Sequence, residues 1–205
     1  HRVLKHDLEN HSEKSPKMRI LISGASGTIG KALVPYLQSC GHEVIRLVRK
    51  KAKLQKDELY WDPYTAFLDL EQADPLDAVI NLNGMDISRG KWTDSQKQKL
   101  IDSRIIPTKL LVEKMKKLKH KPETFVSASA IGFYGQGDDK VLTESSPSGE
   151  FFISDICRQW EEAALPAENA GIRTIRLRIG IVLTPAGGAL ARMALPFQLG
   201  CGVII

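Results

Sequence analysis

Three glycines with the spacing Gly-x-x-Gly-x-x-Gly lie in the segment Gly24-Ala-Ser-Gly-Thr-Ile-Gly30, directly after an apolar run. In a dinucleotide-binding turn, the first glycine permits a sharp bend, the second lets backbone approach a pyrophosphate, and the third lets the following helix pack closely. The N–H groups at that helix N-terminus would face the phosphates, and the helix dipole favours negative charge there. An ordinary strand-to-helix turn is the alternative, but the flanking strand and helix patterns favour nucleotide binding.

Basic residues follow the next predicted strand, at the position that distinguishes the two nicotinamide dinucleotides. An acidic residue there would bind the adenine-ribose hydroxyls of NAD, whereas this chain has Val48 followed by Arg49, Lys50 and Lys51. Because cations can pair with a 2′-phosphate, the sequence favours NADP(H). A solvated basic loop is the alternative interpretation.

Small polar residues end two further predicted strands. The apolar run of residues 77–84 ends in Asn83 and Gly84, where small residues would let a cofactor lie against the backbone. The predicted strand of residues 124–130 carries Ser129 near its end, and Tyr134 follows. Since hydroxyls at the carboxyl end of a central strand point into the cleft of a doubly wound sheet, Ser129 and Tyr134 are candidate catalytic or substrate-binding groups.

The elements that must position these groups alternate between strands and helices. Residues 19–23 and 42–48 are predicted strands, separated by a helix over residues 31–38 that Gly41 closes. Tyr60, Trp61 and Asp62 are predicted as a short edge strand stopped by proline.

The second half of the chain continues this alternation. A capping box at Thr93 begins a long helix, which Pro107 is expected to kink or split near Arg104. A helix over residues 153–170 and a buried strand over residues 171–183 follow. The chain is therefore predicted to be α/β, a Rossmann-type doubly wound parallel sheet with helices on both faces.

Composition limits the classes of function. With 205 residues, 42% of them hydrophobic, the chain can bury a full core. The net charge of +5 is dispersed, so no nucleic-acid partner is expected. No segment has the pattern of a membrane span or a signal peptide, so we expect a soluble, cytoplasmic protein without a membrane partner. The three cysteines are far apart and lack metal-ligand spacing, so we expect reduced thiols and no metal.

Several of these motifs resemble those of the atypical short-chain dehydrogenase/reductases. They are Gly24 to Gly30, Asn81-Leu-Asn-Gly84, Lys91-Trp92-Thr93, Ser103-Arg104, Ser127 to Gly135, Trp160-Glu161 and Arg178-Ile-Gly-Ile-Val-Leu183. More narrowly, they are similar to epimerase-family proteins of the NAD-dependent epimerase/dehydratase type, often labelled sugar-nucleotide epimerase or cell-division inhibitor.

The resemblance has implications for domain organisation. Residues 1–17 are polar and charged without a strand pattern, so they are predicted to be a linker or tail, and the resemblance implies an NADP-binding Rossmann domain over residues 18–205. The smaller substrate subdomain that follows Gly200 in such proteins would be truncated here. Some members have a START-like domain before the Rossmann part, so a fused or partner domain before residue 1 is one hypothesis. Apolar residues such as Phe197 and Leu199 could support an oligomer if exposed.

Site residues carried over from the resemblance form five groups. The pyrophosphate turn would contain Gly24, Ser26, Gly27, Thr28, Ile29 and Gly30, and the 2′-phosphate contact would come from Arg49 and Lys50. Leu82 and Asn83 would contact the ribose. Arg104 stands where extended reductases place an Asn near the cofactor, and Val182 stands where a loop passes the nicotinamide.

The catalytic pair of the resembled reductases is missing. They use Tyr-x-x-x-Lys, whereas Tyr134 is followed four residues later by Asp138, and Ile153 and Cys157 stand on the helix expected to carry the pair. Two hypotheses therefore remain for this chain. The first is an NADP(H)-dependent oxidoreductase or epimerase-like enzyme with a small carbonyl or nucleotide-sugar-like substrate, using Ser129 and Tyr134. The second is a non-catalytic NADP(H)-binding or redox-sensing module.

Overall fold

Seven strands form one sheet in the structure, a computed structural model that describes residues 16–87, 90–136 and 139–184. The strand order is β4-β3-β2-β1-β5-β6-β7. All neighbouring pairs are parallel except β3 and β4. The strands are β1 (Arg19–Ser23), β2 (Glu43–Val48), β3 (Glu58–Asp62), β4 (Phe67–Leu68), β5 (Ala78–Asn81), β6 (Thr124–Ala130) and β7 (Arg173–Ile179).

Helices cover both faces of the sheet. They are α1 (Thr28–Ser39), α2 (Asp94–Lys117) and α3 (Phe152–Ala164). Successive side chains of a strand point to opposite faces, so Ile20 and Ile22 of β1 pack with apolar side chains of α1, whereas Leu21 packs in a separate core. That second core contains Leu111 and Met115 of α2. The predicted Rossmann-type doubly wound sheet is confirmed.

The direction in which strands are added to the sheet reverses at β1. The chain first adds β2, β3 and β4 on one side of β1 and then adds β5, β6 and β7 on its other side. The register brings polar residues together at the edge where the parallel strands end, here called the carboxyl edge. Ser23 lies opposite Asn81, and Asn81 lies opposite Ser127. In open α/β sheets, ligands bind in the crevice at such a reversal.

Two strand predictions were wrong. The predicted edge strand, β3, is not at the edge, because a short 3-10 turn (Pro63–Thr65) reverses the chain and adds β4 outside it. Asp62 caps this turn by accepting a hydrogen bond from the backbone N–H of Tyr64 at 3.0 Å. The predicted buried strand, β7, has only exposed or half-exposed residues and pairs, within the described residues, with β6 alone.

The helices also differ from the predicted ones in detail. The long helix α2 is not split and runs through Pro107, although it does begin at the expected Thr93 cap. The predicted helix over residues 153–170 is α3 followed by a 3-10 segment, Leu165–Ala170. Among the described residues, no helix combines the length and apolar character needed to cross a membrane.

Candidate functional site

The glycine turn has space for backbone only. Gly24 has φ of 75°, and a Cβ there would lie 2.5 Å from the carbonyl oxygen of Leu82. Gly27 donates from its N–H to the carbonyl of Gly24 at 2.9 Å, which closes the turn. A Cβ on Gly30 would lie 2.5 Å from that same carbonyl oxygen. The third glycine thus lets α1 pack against the turn itself, since its closest neighbours are Gly24 and Ala25.

The N-terminus of α1 is open. Gly27 is the N-cap residue, no side chain caps the helix, and its first turn contains no acidic residue. The first N–H groups of a helix have no partner within the helix, so those of Thr28, Ile29 and Gly30 are available to an anion. Ser26, Gly27 and Thr28 are exposed. This arrangement can bind phosphate through backbone N–H groups and the helix dipole.

Arg49 and Lys50 follow the end of β2, the strand next to β1. Both side chains are exposed, and neither has a partner in the part of the chain that the structure describes. Because β1 and β2 are parallel neighbours, the two cations and the glycine turn lie at the same edge of the sheet.

A buried polar network lies beneath this edge. Ser23 donates to Asn81 Oδ1 at 2.9 Å, and the Asn83 amide donates to Ser23 at 2.7 Å and to Asn81 Oδ1 at 2.7 Å. The Asn81 amide donates to the hydroxyls of Thr108 at 2.8 Å and Ser127 at 3.4 Å. One side chain thus joins β1, β5, β6 and α2. Asn83 is occupied with this network, and Asn81, which sequence reasoning did not include among the site residues, is its centre.

The loop after β5 lies against the glycine turn. Leu82 packs on Gly24, and the exposed Gly84 lies beside the guanidinium of Arg104. Arg104 is only 8% exposed, and it donates to the carbonyl of Met85 at 2.9 Å. Burial lowers the pKa of Arg104 from its usual value. The predicted cofactor residues Leu82, Gly84 and Arg104 are therefore brought together with the turn.

Ser129 and Tyr134 belong to one ionic network at the ends of β6 and β7. Ser129 donates to Glu161 at 2.7 Å, and Arg178 binds both carboxylate oxygens of Glu161, at 2.8 and 3.0 Å. Arg178 also donates to the Tyr134 hydroxyl at 2.8 Å and stacks on the Phe133 ring, 3.5 Å from its centroid. The structure thus connects the two predicted catalytic residues through an ion pair.

Electrostatics keep this ion pair charged. Burial opposes ionisation of Glu161, but hydrogen bonds from Arg178 and Ser129 outweigh it and hold the pKa of Glu161 below its usual value. Its hydrogen bonds to Glu161 and Tyr134 outweigh burial and raise the pKa of Arg178 above its usual value. With Glu161 ionised, the proton of the buried Ser129 hydroxyl is directed to the carboxylate. Among the described residues, Tyr134 has no acceptor for its own proton.

Ile153 and Cys157, which the sequence analysis placed where the Tyr-Lys pair was expected, are closely packed in the structure. Ile153 packs closely against Gly132: a Cβ added to Gly132 would lie 2.4 Å from Ile153 Cγ2. Cys157 is 3% exposed, and burial raises the pKa of its thiol. Asp138, the residue four after Tyr134, lies outside the described residues, as does the whole segment from residue 185 onward. Val182 is exposed beyond the end of β7.

Glu161, which the sequence analysis quoted as part of a motif, was given no role in the site. Glu161 lies one helical turn after Cys157, so it shares the buried face of α3. An acidic residue on a buried helix face requires a cationic partner, and that signal was present in the sequence. Its partner Arg178 lies on strand β7, and only the fold brings the helix residue and the strand residue together.

Comparison with known proteins finds relatives that are described as epimerase family proteins. A mycobacterial protein described as epimerase family protein Mb2239, from Mycobacterium bovis, is 39% identical over 89% of this chain and 60% of its own length. Human epimerase family protein SDR39U1 is 34% identical over 90% of this chain and 61% of its own. This chain therefore spans about 60% of the length of the curated relatives it matches.

Solved structures of similar proteins share the fold. One, described as a nucleoside-diphosphate sugar epimerase from Corynebacterium glutamicum, has a TM-score of 0.80 and 36% identity, covering 95% of this chain and 42% of that one. Human SDR39U1 (isoform 2), solved with NADPH, has a TM-score of 0.78 and 33% identity, covering 90% of this chain and 61% of that one. The sequence profile of the NAD dependent epimerase/dehydratase family matches residues 20–195. With its Rossmann-type sheet and open glycine turn, the chain belongs to the NAD dependent epimerase/dehydratase family, as an atypical short-chain dehydrogenase/reductase.

Proposed function

We propose that the carboxyl edge of this sheet binds NADP(H). The observation that carries the proposal is the uncapped N-terminus of α1, which follows a turn where a Cβ would clash at two of three glycines. The residues fit the cofactor because exposed backbone at Ser26, Gly27 and Thr28 leaves room for a pyrophosphate. A nicotinamide cofactor, when bound, supplies hydride chemistry; the chain's own groups bind and orient it.

The 2′-phosphate of NADP(H) would be bound by Arg49 and Lys50. Both cations are exposed and have no protein partner among the described residues, so binding a phosphate would break no ion pair. The family's name refers to NAD as the cofactor, whereas the structure of the human relative was solved with NADPH. The absence of an acidic residue after Val48 agrees better with the second cofactor.

Titration with NADPH and NADH, followed by calorimetry, tests this assignment. Arg49→Glu should reduce NADPH affinity by at least tenfold, since hydrogen bonds to charged groups contribute roughly 1.5–3 kcal/mol. NADH affinity should change little. Lys116→Glu is the matched control, because it reverses an exposed charge in the last turn of α2, outside the proposed cofactor site. It should affect the affinity for neither cofactor. Equal affinities of the wild type for NADPH and NADH would overturn the NADP(H) assignment.

We further propose that the intact protein is an oxidoreductase or epimerase-like enzyme with a small carbonyl or nucleotide-sugar-like substrate. Hydride transfer requires chiefly a positioned nicotinamide, so the missing Tyr-Lys pair does not exclude it. Tyr134 is the candidate proton donor, because Arg178 donates to its oxygen and leaves its own proton free for a substrate. Ser129, which is 2% exposed and donates to Glu161, would act on Tyr134 through the Glu161–Arg178 pair.

Turnover by the intact protein tests this reaction. NADPH oxidation should be measured by absorbance against panels of carbonyl compounds and nucleotide sugars. For an active substrate, Tyr134→Phe should reduce kcat by roughly 100-fold or more, the usual contribution of a positioned acid or base. The affinity for NADPH should remain unchanged. Tight NADPH binding without any turnover across the panels would refute the enzymatic proposal.

A second candidate function is a non-catalytic NADP(H)-binding or redox-sensing module. The specific observation in its favour is that Ile153 and the buried Cys157 stand where the catalytic pair is expected. A sensor must differ between its two cofactor states, so binding to a fused or separate partner should respond to replacing NADP+ by NADPH. Partner affinity that is identical with the two cofactors would contradict this function.

A further inference from the structure

The loop of residues 82–87, here called the strand-end loop, is held by side chains from outside it. The backbone N–H of Met85 donates to the Ser103 hydroxyl at 3.1 Å, and the Met85 carbonyl accepts from Arg104 at 2.9 Å. The Trp92 indole donates to the carbonyl of Ile87 at 2.9 Å. Both polar backbone atoms of one residue are thus bound by two consecutive residues of α2.

Arg104 is itself fixed in place. Its guanidinium lies 5.2 Å from the centroid of the Trp160 ring, and a Cβ on Gly84 would lie 3.3 Å from the guanidinium carbon. It also donates to the carbonyl of Leu100 at 2.9 Å and to the Ser103 hydroxyl at 3.1 Å. Glycine at position 84 thus provides the space that the guanidinium occupies.

The other end of the strand-end loop touches the phosphate-binding turn. The carbonyl oxygen of Leu82 would lie 2.5 Å from a Cβ on Gly24, and the Asn83 amide donates to Ser23 in the last position of β1. A shift of Met85 would therefore move the segment on which Gly24 rests. Contacts run without a gap from Arg104 through the loop to the turn.

We propose that Arg104, with Ser103, is a positioning residue that holds the strand-end loop against the glycine turn and thereby sets cofactor affinity. The proposal rests on the proposed function. Arg104 does not act here as a phosphate ligand, because it is buried and three of its hydrogen bonds go to protein acceptors. Its effect is therefore independent of the 2′-phosphate and equal for the phosphorylated and unphosphorylated cofactors.

Binding of NADPH and NADH to variants of the intact protein tests this role. Arg104→Met should weaken both cofactors by a similar factor, about tenfold, as expected for losing a hydrogen bond from a charged donor. Ser103→Ala should act in the same direction with a smaller factor. Arg104→Lys, which can still donate to the Met85 carbonyl, should restore part of the affinity. Arg49→Met should weaken NADPH alone, which provides the contrast.

A second measurement separates loop positioning from loss of fold. Amide hydrogen exchange in residues 82–87 should be faster in Arg104→Met and Ser103→Ala, with exchange in β6 unchanged. If Arg104→Met weakens NADPH alone with a reduced salt dependence, or if folded Arg104→Met and Ser103→Ala bind both cofactors normally, the positioning role is wrong. If the wild-type protein binds neither cofactor, the proposed function fails instead. Should Arg104→Met not fold, Ser103→Ala and Arg104→Lys still give the decisive comparison.

Discussion

Replacing Arg178 by Met should strongly destabilise the protein. Arg178 binds both oxygens of Glu161, and the side chains of this pair are only 17% and 6% exposed. Methionine retains apolar packing on Phe133 but removes the charge and all the donors. The variant would leave a buried carboxylate with Ser129 as its remaining hydrogen-bond donor among those described.

The magnitude follows from the burial of the carboxylate. Removing one partner of a buried ion pair costs about 3–5 kcal/mol, and partial exposure of Arg178 places our expectation near the lower end, about 3 kcal/mol at pH 7. Glu161→Gln combined with Arg178→Met should cost less than the two single changes added together. A coupling free energy of at least about 1 kcal/mol is expected for groups in direct contact.

The pH dependence gives a second, independent result. The pKa of Glu161 in the folded protein is held below its unfolded value of 4.5. Its contribution to stability is therefore present above pH 4.5 and is lost as the pH falls through the lower folded value. In Arg178→Met, burial without the guanidinium would raise the pKa of Glu161. The stability difference between wild type and variant should therefore shrink between pH 7 and pH 4.

Urea unfolding monitored by circular dichroism measures these differences. Arg173→Met, at an exposed position of the same strand, is the matched control and should change stability by less than about 0.5 kcal/mol. A loss below about 1 kcal/mol for Arg178→Met, additive single and double variants, or a loss independent of pH would refute this account of the ion pair.

Three further predictions concern the turn, the polar network and the thiols. Gly30→Ala would place a Cβ 2.5 Å from the Gly24 carbonyl oxygen, so it should destabilise the protein by about 1–3 kcal/mol. It should also reduce the affinity for NADPH at least tenfold, and an unchanged affinity in calorimetry would contradict this. Asn81→Leu should cost roughly 1–3 kcal/mol in urea unfolding, because its buried hydroxyl partners lose a hydrogen bond, and an unchanged midpoint would refute the network's role. Cys157, buried with a raised pKa, should react with thiol reagents only at the rate of unfolding, whereas exposed Cys40 should react at once; peptide mass spectrometry distinguishes them.

Local patterns were sufficient for much of the fold. The strands β1 and β6 and the Thr93 cap of α2 were predicted at their observed places, because apolar periodicity and side-chain capping act over a few residues. The edges of the sheet were not predictable in this way. Whether β3 or β7 is covered depends on which other strand pairs with it, and pairing joins distant segments.

By itself, the sequence determined the Rossmann-type sheet, the glycine turn at an open helix N-terminus and the two cations after β2. These features depend on the spacing of glycines, on the periodicity of apolar residues and on the charges of neighbouring residues, all within short segments. Only the tertiary structure decided that Glu161 joins Ser129 to Arg178 and Tyr134, and that Arg104 binds the Met85 carbonyl. The physical reason is that a buried polar group must find a partner wherever the packed chain provides one, and no local spacing specifies that partner.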